Sequence, residues 1–552
     1  MQELNHTQIA QRLDQLTELS VALGASHDTA ELLERILMVA KGMTNADGGT
    51  LYRPSEDGRS LCFHISVNDT LGIRQGGAHG DKIDIPAVPL FDAHGDKNLA
   101  SVAAYSANFR LSVNIEDVYQ ADVFNFSGMR SFDQQRGYHS QSFLTVPMND
   151  HEGELVGVLQ LINAKDPLTG AIRAFSPTDQ RFIEALAAQA GVAITNQRLI
   201  QQLEELLEAL VNLINIGIDE KSPYTGRHCQ FVPELTMMLA EAVHNTETGP
   251  LADFRMDDAD RKELWLAGLL HDCGKITTPV HVVDKGTKLE TIFDRVHMVS
   301  TRFEVLMRDA EIRALKAKLA GGDAEAIDAA LAEELAQLEA DRQFIRGANI
   351  GGEGMRPEDQ ERVRQIAKYR FMGHVIQKKE AGGEEPPFRR EEQDFLSAEE
   401  VDNLTIRFGT LTDGERKEIN NHISVTIRML ESLPWPKHLQ NVAEYAGGHH
   451  ERMDGKGYPR GLTKEQMSVP ARVMAIADIF EALTARDRPY KKGKLLSESL
   501  RILGNFSLNG HIDPDLFDIF IRQKVYLDFA RKNVDERQLD HVDESKIPGY
   551  TP

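Results

Sequence analysis

HHERMDGKGYP, residues 449–459, decides how the second half of this chain is read. It joins two adjacent histidines to an Asp-Gly turn and a Gly-Tyr-Pro loop. Glycines let a backbone approach a neighbouring group closely, and imidazoles ligate first-row metals. Upstream, LLHDCGKI (269–276) offers His271 and Asp272 at the end of the apolar run LWLAGLL. A charged group beside a buried helix is costly unless it has partners, and metal ions supply them. His271, Asp272 and Lys275 are expected along one helix face. The two stretches, far apart in sequence, are expected to close around one polynuclear metal site.

Three more segments surround them. TLTDGERKEINNHISVTIRMLESL (410–433) has the pattern of an amphipathic helix presenting His422. VMAIADIFEALTARDRPYKKGK (473–494) is an apolar helix with one carboxylate, Asp478, followed by the basic cluster Arg486, Arg488, Lys491, Lys492 and Lys494. DEKSPYTGRHCQFVPEL (219–235) places His228 at the start of another helix. The order HD-x-GK, HHE-x-x-DG-x-GYP-x-GL, AD-x-x-EALT, RPYKKG resembles the HD-GYP family, a branch of the HD phosphohydrolases. The resemblance implies an all-α domain over 219–535 and hydrolysis of cyclic di-GMP to linear pGpG or GMP. Selectivity for cyclic GMP-AMP and a catalytically silent, nucleotide-binding scaffold are the alternatives.

Carried over from the family, the metal ligands are His271, Asp272, His422, His449, His450 and Asp478, with His228 as a further candidate. Two divalent ions are expected, iron or manganese first, zinc or nickel next. Paired cations acidify a shared water and neutralise phosphoryl oxygens. Asp272 and Lys275 are the catalytic candidates. Lys275, Arg488, Lys491 and Tyr458 are the substrate-binding candidates. Members with a third ion carry a glutamate where this chain has Tyr224, so a two-metal site is expected. About 120 residues (roughly 291–409) interrupt the family pattern. They include a charged, Ala-rich helix expected to form a hairpin, and a loop, GHVIQKKEAGGEEPPFRREEQD (373–394), rich in charge and glycine. His297 is read as structural. Residues 536–552 read as a polar, loose tail.

The first half reads as α+β. TAELLERILMVAKGMTNA has helical periodicity; GGTLYRP, LCFHISV and SFLTVPMNDHEGELVGVLQLINAKD alternate as strands around turns. With a closing helix from FSPTDQRF, this order resembles a GAF sensor domain over 26–196, best at GYHSQSFLTVPM and GVLQLINAKD. The cyclic-nucleotide motif of such domains is matched in part by Asn163, Lys165, Phe175 and Asp179. Ala164 stands between the first two, and Gln180 replaces a glutamate. A small ligand is a candidate partner, and a ligand-free dimerisation module is the alternative.

A helix is expected over 1–25. Leu199, Leu203, Leu206, Leu210 and Leu213 follow a heptad seam within a linker helix over 197–218, which points to a coiled-coil homodimer. The chain carries 62 basic and 85 acidic residues, a net charge of −23, which disfavours nucleic acid as a partner. Three cysteines without a CxxC pair, and no apolar run of membrane length, lead to the expectation of a cytoplasmic protein without a membrane anchor.

Overall fold

Alternating burial organises the first unit. In β1 (Ala46–Pro54) Leu51 packs to one side with Leu159 and Leu161, and Tyr52 packs to the other with Val158. The computed structural model describes residues 29–222, 227–352, 354–375, 389–486 and 493–552. The helix expected over 1–25 lies outside them, as do Tyr224, Arg488 and Lys491. The chain divides at Leu207 and Glu208 into two compact units.

In the first unit, β1 pairs antiparallel with β2 (Ser60–Asn68) and with β7 (Leu155–Lys165). The sheet runs β3-β2-β1-β7-β6-β5, with β3 at Ile73–Gly76, β5 at Val113–Ile115 and β6 at Phe143–Asn149. β4 (Val88–Pro89) pairs with β2, and β8 (Ile172–Arg173) pairs with β7. One face is covered by helix Thr29–Thr44, through Leu33, Ile36 and Leu37, and by Ile183 and Leu186 of helix Pro177–Lys221. Helix Val102–Phe109 covers the other with Ala103, Ala104 and Ala107. Burying each large aliphatic side chain contributes about 1.5–3 kcal/mol. The small strands and the helices Val102–Phe109 and Ser127–Arg136 fall in a stretch without clear periodicity, and sequence reading did not place them.

Helix Pro177–Lys221 is continuous through the expected linker. Its heptad leucines, from Leu199 to Leu213, are between 46% and 65% exposed, so among the described residues their seam is uncovered. No helix among the described residues is long and apolar enough to cross a membrane.

The second unit is mainly helical. Helices His228–His244, Asp258–Leu270, His422–Glu431, Val442–Gly447 and Val469–Thr484 surround the histidines. The 410–433 segment is two helices, Asp413–Asn420 and His422–Glu431, rather than one. The inserted segment has its own core, built on Phe303, Leu338, Ile345, Val363 and Phe395. Its hairpin is helix Val296–Leu319 followed by helix Ala324–Ala348, crossed by the pairs Arg313–Glu334 and Lys318–Asp328, both 2.5 Å.

Two expectations are corrected here. Within the helical domain, β9 (Arg370–Val375) and β10 (Arg389–Asp394) form an antiparallel ribbon across the segment read as a loop. The C-terminal residues are not a loose tail. Asp540 accepts from the Ser497 N–H and hydroxyl, Glu544 accepts from the Tyr526 hydroxyl, and Ile547 is buried. Their few apolar and acidic groups meet partners from distant helices that local sequence does not reveal.

Candidate metal centre

Helix Asp258–Leu270 starts on a capping box between Asp257 and Asp260 and carries its apolar face as far as Leu270. It stops there. His271 is its C-cap, and Cys273–Thr277 is a 3-10 turn, so the expected single helical face is corrected to a helix end followed by a tight turn. This turn lies directly on helix His422–Glu431. The Gly274 N–H donates to the Thr426 hydroxyl at 2.9 Å, and a Cβ on Gly274 would overlap the His422 carbonyl oxygen. Gly274 thus allows Asp272 and His422 to meet.

His449 and His450 follow helix Val442–Gly447. The next residue, Glu451, is fully buried and accepts the backbone N–H groups of Arg460 (2.7 Å) and Leu462 (2.9 Å). It folds the Gly-Tyr-Pro loop back on the histidines. Gly457 sits so close to the Glu451 backbone that no side chain fits. Tyr458 then stacks on His450, with ring centroids 4.9 Å apart.

Three histidines share one device. The Nδ1 atoms of His271, His422 and His449 each lie on the carbonyl oxygen three residues earlier, Gly268 (2.7 Å), Ile419 (2.5 Å) and Ala446 (2.6 Å). A carbonyl only accepts, so each Nδ1 carries the proton and each Nε2 presents a lone pair. His228 is oriented by a carboxylate instead, its Nδ1 2.5 Å from Glu481 Oε2.

The inward-facing atoms converge. His422 Nε2 lies 3.1 Å from Asp272 Oδ1 without making a hydrogen bond. Two electron-rich atoms face each other there. His449 Nε2 is likewise buried without a partner. Each buried polar atom left unpaired costs about 1–3 kcal/mol, and here three of them point into one space. A cation between them removes the cost. His228 Nε2 lies 3.1 Å from Asp272 Oδ2, 3.2 Å from Asp478 Oδ1 and 3.2 Å from His271 Nε2. Among the described residues, three groups have ligand atoms close enough to share an ion: His422, His449 and His450; His228, His271 and Asp478; His271, Asp272 and His449.

Electrostatics suit a cation. Burial holds the His449 imidazole well below its usual range and His450 down to about 4, so both are neutral donors. Burial opposes ionisation of Asp272, but the Lys275 ammonium and the His228 imidazolium outweigh it and keep the carboxyl well below its usual range. Asp478 is held down in the same way, chiefly through His228. Burial disfavours the charged form of His228, yet Glu481, Asp272 and Asp478 pull it up, so its imidazolium balances this acidic corner. Lys275 Nζ pairs with Asp272 Oδ2.

All seven histidine and aspartate candidates are therefore in one cluster, with Lys275 and Tyr458 at it. His297 is exposed on the first helix of the insertion. Sequence reading missed Glu481 and Glu451 as supporting residues. Glu481 stands three residues after Asp478, one helical turn along the same face, and that spacing was the available signal.

The four GAF candidates are engaged inside their own fold. Asn163 Oδ1 accepts from the Gln141 (2.7 Å) and Ser142 (3.2 Å) N–H groups, and its Nδ2 donates to Tyr138 Oη (3.0 Å) and the His139 carbonyl (2.7 Å). Lys165 pairs with buried Asp47. Phe175 is in the core. Asp179 binds Arg173 and caps the long helix through Ser176.

Comparison with known proteins gives two kinds of match. Residues 28–194 match the GAF domain profile, and residues 225–369 and 398–516 each match an HD domain profile. A cyclic di-GMP phosphodiesterase of Pseudomonas aeruginosa is 41% identical over 114 residues, 21% of this chain and 26% of that protein. A 3'3'-cGAMP-specific phosphodiesterase of Vibrio cholerae is 46% identical over 81 residues, 15% of this chain and 19% of that protein. A cyclic di-GMP phosphodiesterase of Thermotoga maritima is 36% identical over 137 residues, 24% of this chain and 36% of that protein. The matched region thus spans between 19% and 36% of these relatives' own lengths.

Proposed function

For a chain in which a GAF domain precedes an HD domain of the HD-GYP type, we propose a metal-dependent phosphodiesterase that cleaves cyclic di-GMP. The observation that carries this reading is the convergence of His422 Nε2, His449 Nε2 and Asp272 Oδ1, all buried and unpartnered, on one space. Two divalent ions, iron or manganese, fit the donors. His422, His449 and His450 would hold one; His271 and Asp478, joined by His228, would hold the other; Asp272 faces both groups. When bound, the metals supply Lewis-acid activation of water and of the phosphoryl group.

The chain's own residues do the rest. The backbone carbonyls of Gly268, Ile419 and Ala446 fix the imidazole tautomers of His271, His422 and His449, so these three keep their Nδ1 protons when the ions arrive, whereas His228 would give up a proton to join them. Lys275, beside Asp272, presents an ammonium to a phosphoryl oxygen. Tyr458 is held flat on His450, and its ring is proposed to stack on a guanine. Arg488 and Lys491 are proposed to grip the second phosphate. The GAF domain is proposed to act as sensor, and the open leucine seam to join two chains as a coiled coil.

The test is metal content on anaerobically purified protein, with turnover assayed on the same sample. Two metals per chain with cyclic di-GMP cleavage is the expected result. Two metals without turnover of any cyclic dinucleotide would overturn the enzyme reading. A third metal would remove the significance given to Tyr224. Preference for 3'3'-cGAMP is the second reading, favoured by the Vibrio cholerae relative, and competition between the two substrates decides it.

A further inference from the structure

One buried ammonium joins the inserted segment to the metal centre. The Lys285 side chain is 1% exposed. Its Nζ lies 2.8 Å from both Glu415 carboxylate oxygens and 2.8 Å from Asn403 Oδ1. Asn403 belongs to the last helix of the insertion, Ala398–Leu404, and Glu415 to the helix that leads to His422. The Asn403 amide is itself fixed, since its Nδ2 donates to the Glu399 carbonyl at 2.9 Å. Nearby, Lys288 Nζ donates to the Leu404 (3.1 Å) and Ile406 (2.7 Å) carbonyls at the end of the same helix. The chain returns from the insertion at Thr410, whose hydroxyl donates to the Lys285 carbonyl at 3.0 Å.

Glu415 has a second role. It closes a capping box with Thr412 at the start of helix Asp413–Asn420. Near the other end of that helix, the Ile419 carbonyl accepts the Nδ1–H of His422. A path of direct contacts and one short helix therefore runs from Asn403 through Lys285 and Glu415 to a ligand of the proposed metal centre. Such a path is stiff. Moving a buried ion pair leaves a charge without its partner, which is strongly unfavourable.

We infer that Lys285 is a positioning residue for His422, and that the insertion, through Asn403, sets the seat of this ligand. The inference rests on the metal reading of the cluster. Partners that orient a metal ligand typically change metal affinity 10- to 100-fold when removed.

The test is anaerobic Co(II) titration of the full chain, followed by absorption spectroscopy. His422→Ala identifies the band and the equivalent that depend on this ligand. In Lys285→Met, the same equivalent is expected to weaken about 10- to 100-fold with a shifted band, while the other keeps its native affinity. Asn403→Ala, which leaves the Lys285–Glu415 pair in place, is expected to weaken the same equivalent by less. Native Co(II) binding in a folded Lys285→Met chain overturns the proposal, and so does equal weakening of both equivalents. If Lys285→Met does not fold, Asn403→Ala decides: an unchanged spectrum overturns the link and a selective shift supports it. Failure of the native chain to take up Co(II) would instead overturn the metal reading, and this inference with it.

Discussion

In the GAF domain Asn163 directs its amide oxygen to two backbone N–H groups and its amide nitrogen to a hydroxyl and a carbonyl. In the HD domain His422 and His449 direct Nε2 to no donor at all. Both sets are buried, and both were singled out by motif. What separates them is whether their polar atoms already have partners. A buried donor set that the fold completes acts as a clasp. One that the fold leaves incomplete, at a cost of about 1–3 kcal/mol per atom, is retained because something else completes it. By this criterion we propose the HD cluster as a binding site and the Asn163 set as scaffold.

The largest test acts on the incomplete side. Asp272→Asn keeps the shape of the side chain but removes the charge that faces both ligand groups. Removing an interaction central to charge stabilisation typically lowers kcat about 10²–10³-fold. With metal affinity also reduced, turnover of cyclic di-GMP is expected to fall by at least about 10³-fold, measured on folded, metal-loaded protein. Activity within tenfold of the native chain would break the comparison, because the cluster would then be no more essential than the clasp.

Gly274→Ala is next. The added Cβ would overlap the His422 carbonyl and crowd the Thr426 backbone. Overpacking of this kind costs about 1–3 kcal/mol. The turn bearing Asp272 can relieve the overlap only by withdrawing from the His422 helix. A fall in kcat of about 10²-fold is expected, since misplacement by about 1 Å has that effect. Metal analysis on the same protein should show a loss at the Asp272–His422 side.

How much of this was legible beforehand depended on whether the signal was local. HHERMDGKGYP and HDCGK could be read because histidine, glycine and aspartate identities carry the chemistry at fixed spacing. The helix end at Leu270 was not legible: the pattern continues through His271, and the turn that follows packs Gly274 against Thr426, 152 residues further on. Asp47, which takes up the charge of Lys165, lies far upstream on β1, and nothing near Lys165 announces it. β10 was hidden for another reason. RREEQD has charge in place of the apolar alternation by which strands are recognised, and it pairs through backbone bonds with β9. Glu481 was legible in principle, one turn from Asp478, but only its contact with His228 assigns it a role.

On the complete side, Asn163→Ala removes four hydrogen bonds at once and leaves the half-buried N–H of Gln141 and the buried N–H of Ser142 in need of partners. The position also has φ of 55°, a left-handed conformation that Asn tolerates and Ala does not favour. The GAF domain is expected to lose about 2–3 kcal/mol, read as an earlier unfolding transition in urea. Turnover of the HD domain per folded chain should change less than about threefold. Loss of binding to a cyclic nucleotide without loss of stability would reverse the assignment and make Asn163 a ligand contact.

The smallest effect is expected at Asp179, and its pH dependence sharpens the distinction. Burial pushes this carboxyl up, but the Arg173 guanidinium and the Ser176 N–H and hydroxyl outweigh burial and hold it below its usual range. A carboxyl with a depressed folded-state value binds its proton less readily when folded than when unfolded. Its contribution to stability is therefore complete above the unfolded value near 3.8 and is lost as the pH falls through the lower folded value. Asp179→Asn retains an oxygen for the Ser176 cap but loses the ion pair, a change of about 1 kcal/mol at neutral pH. Urea unfolding should show a constant gap between native and variant from about pH 7 to about pH 5, narrowing below about pH 4. A gap that persists undiminished in acid would mean that shape, not charge, is what Asp179 contributes. A ligand contact predicts a different pattern: stability near native, with the deficit appearing only when a small molecule is titrated in.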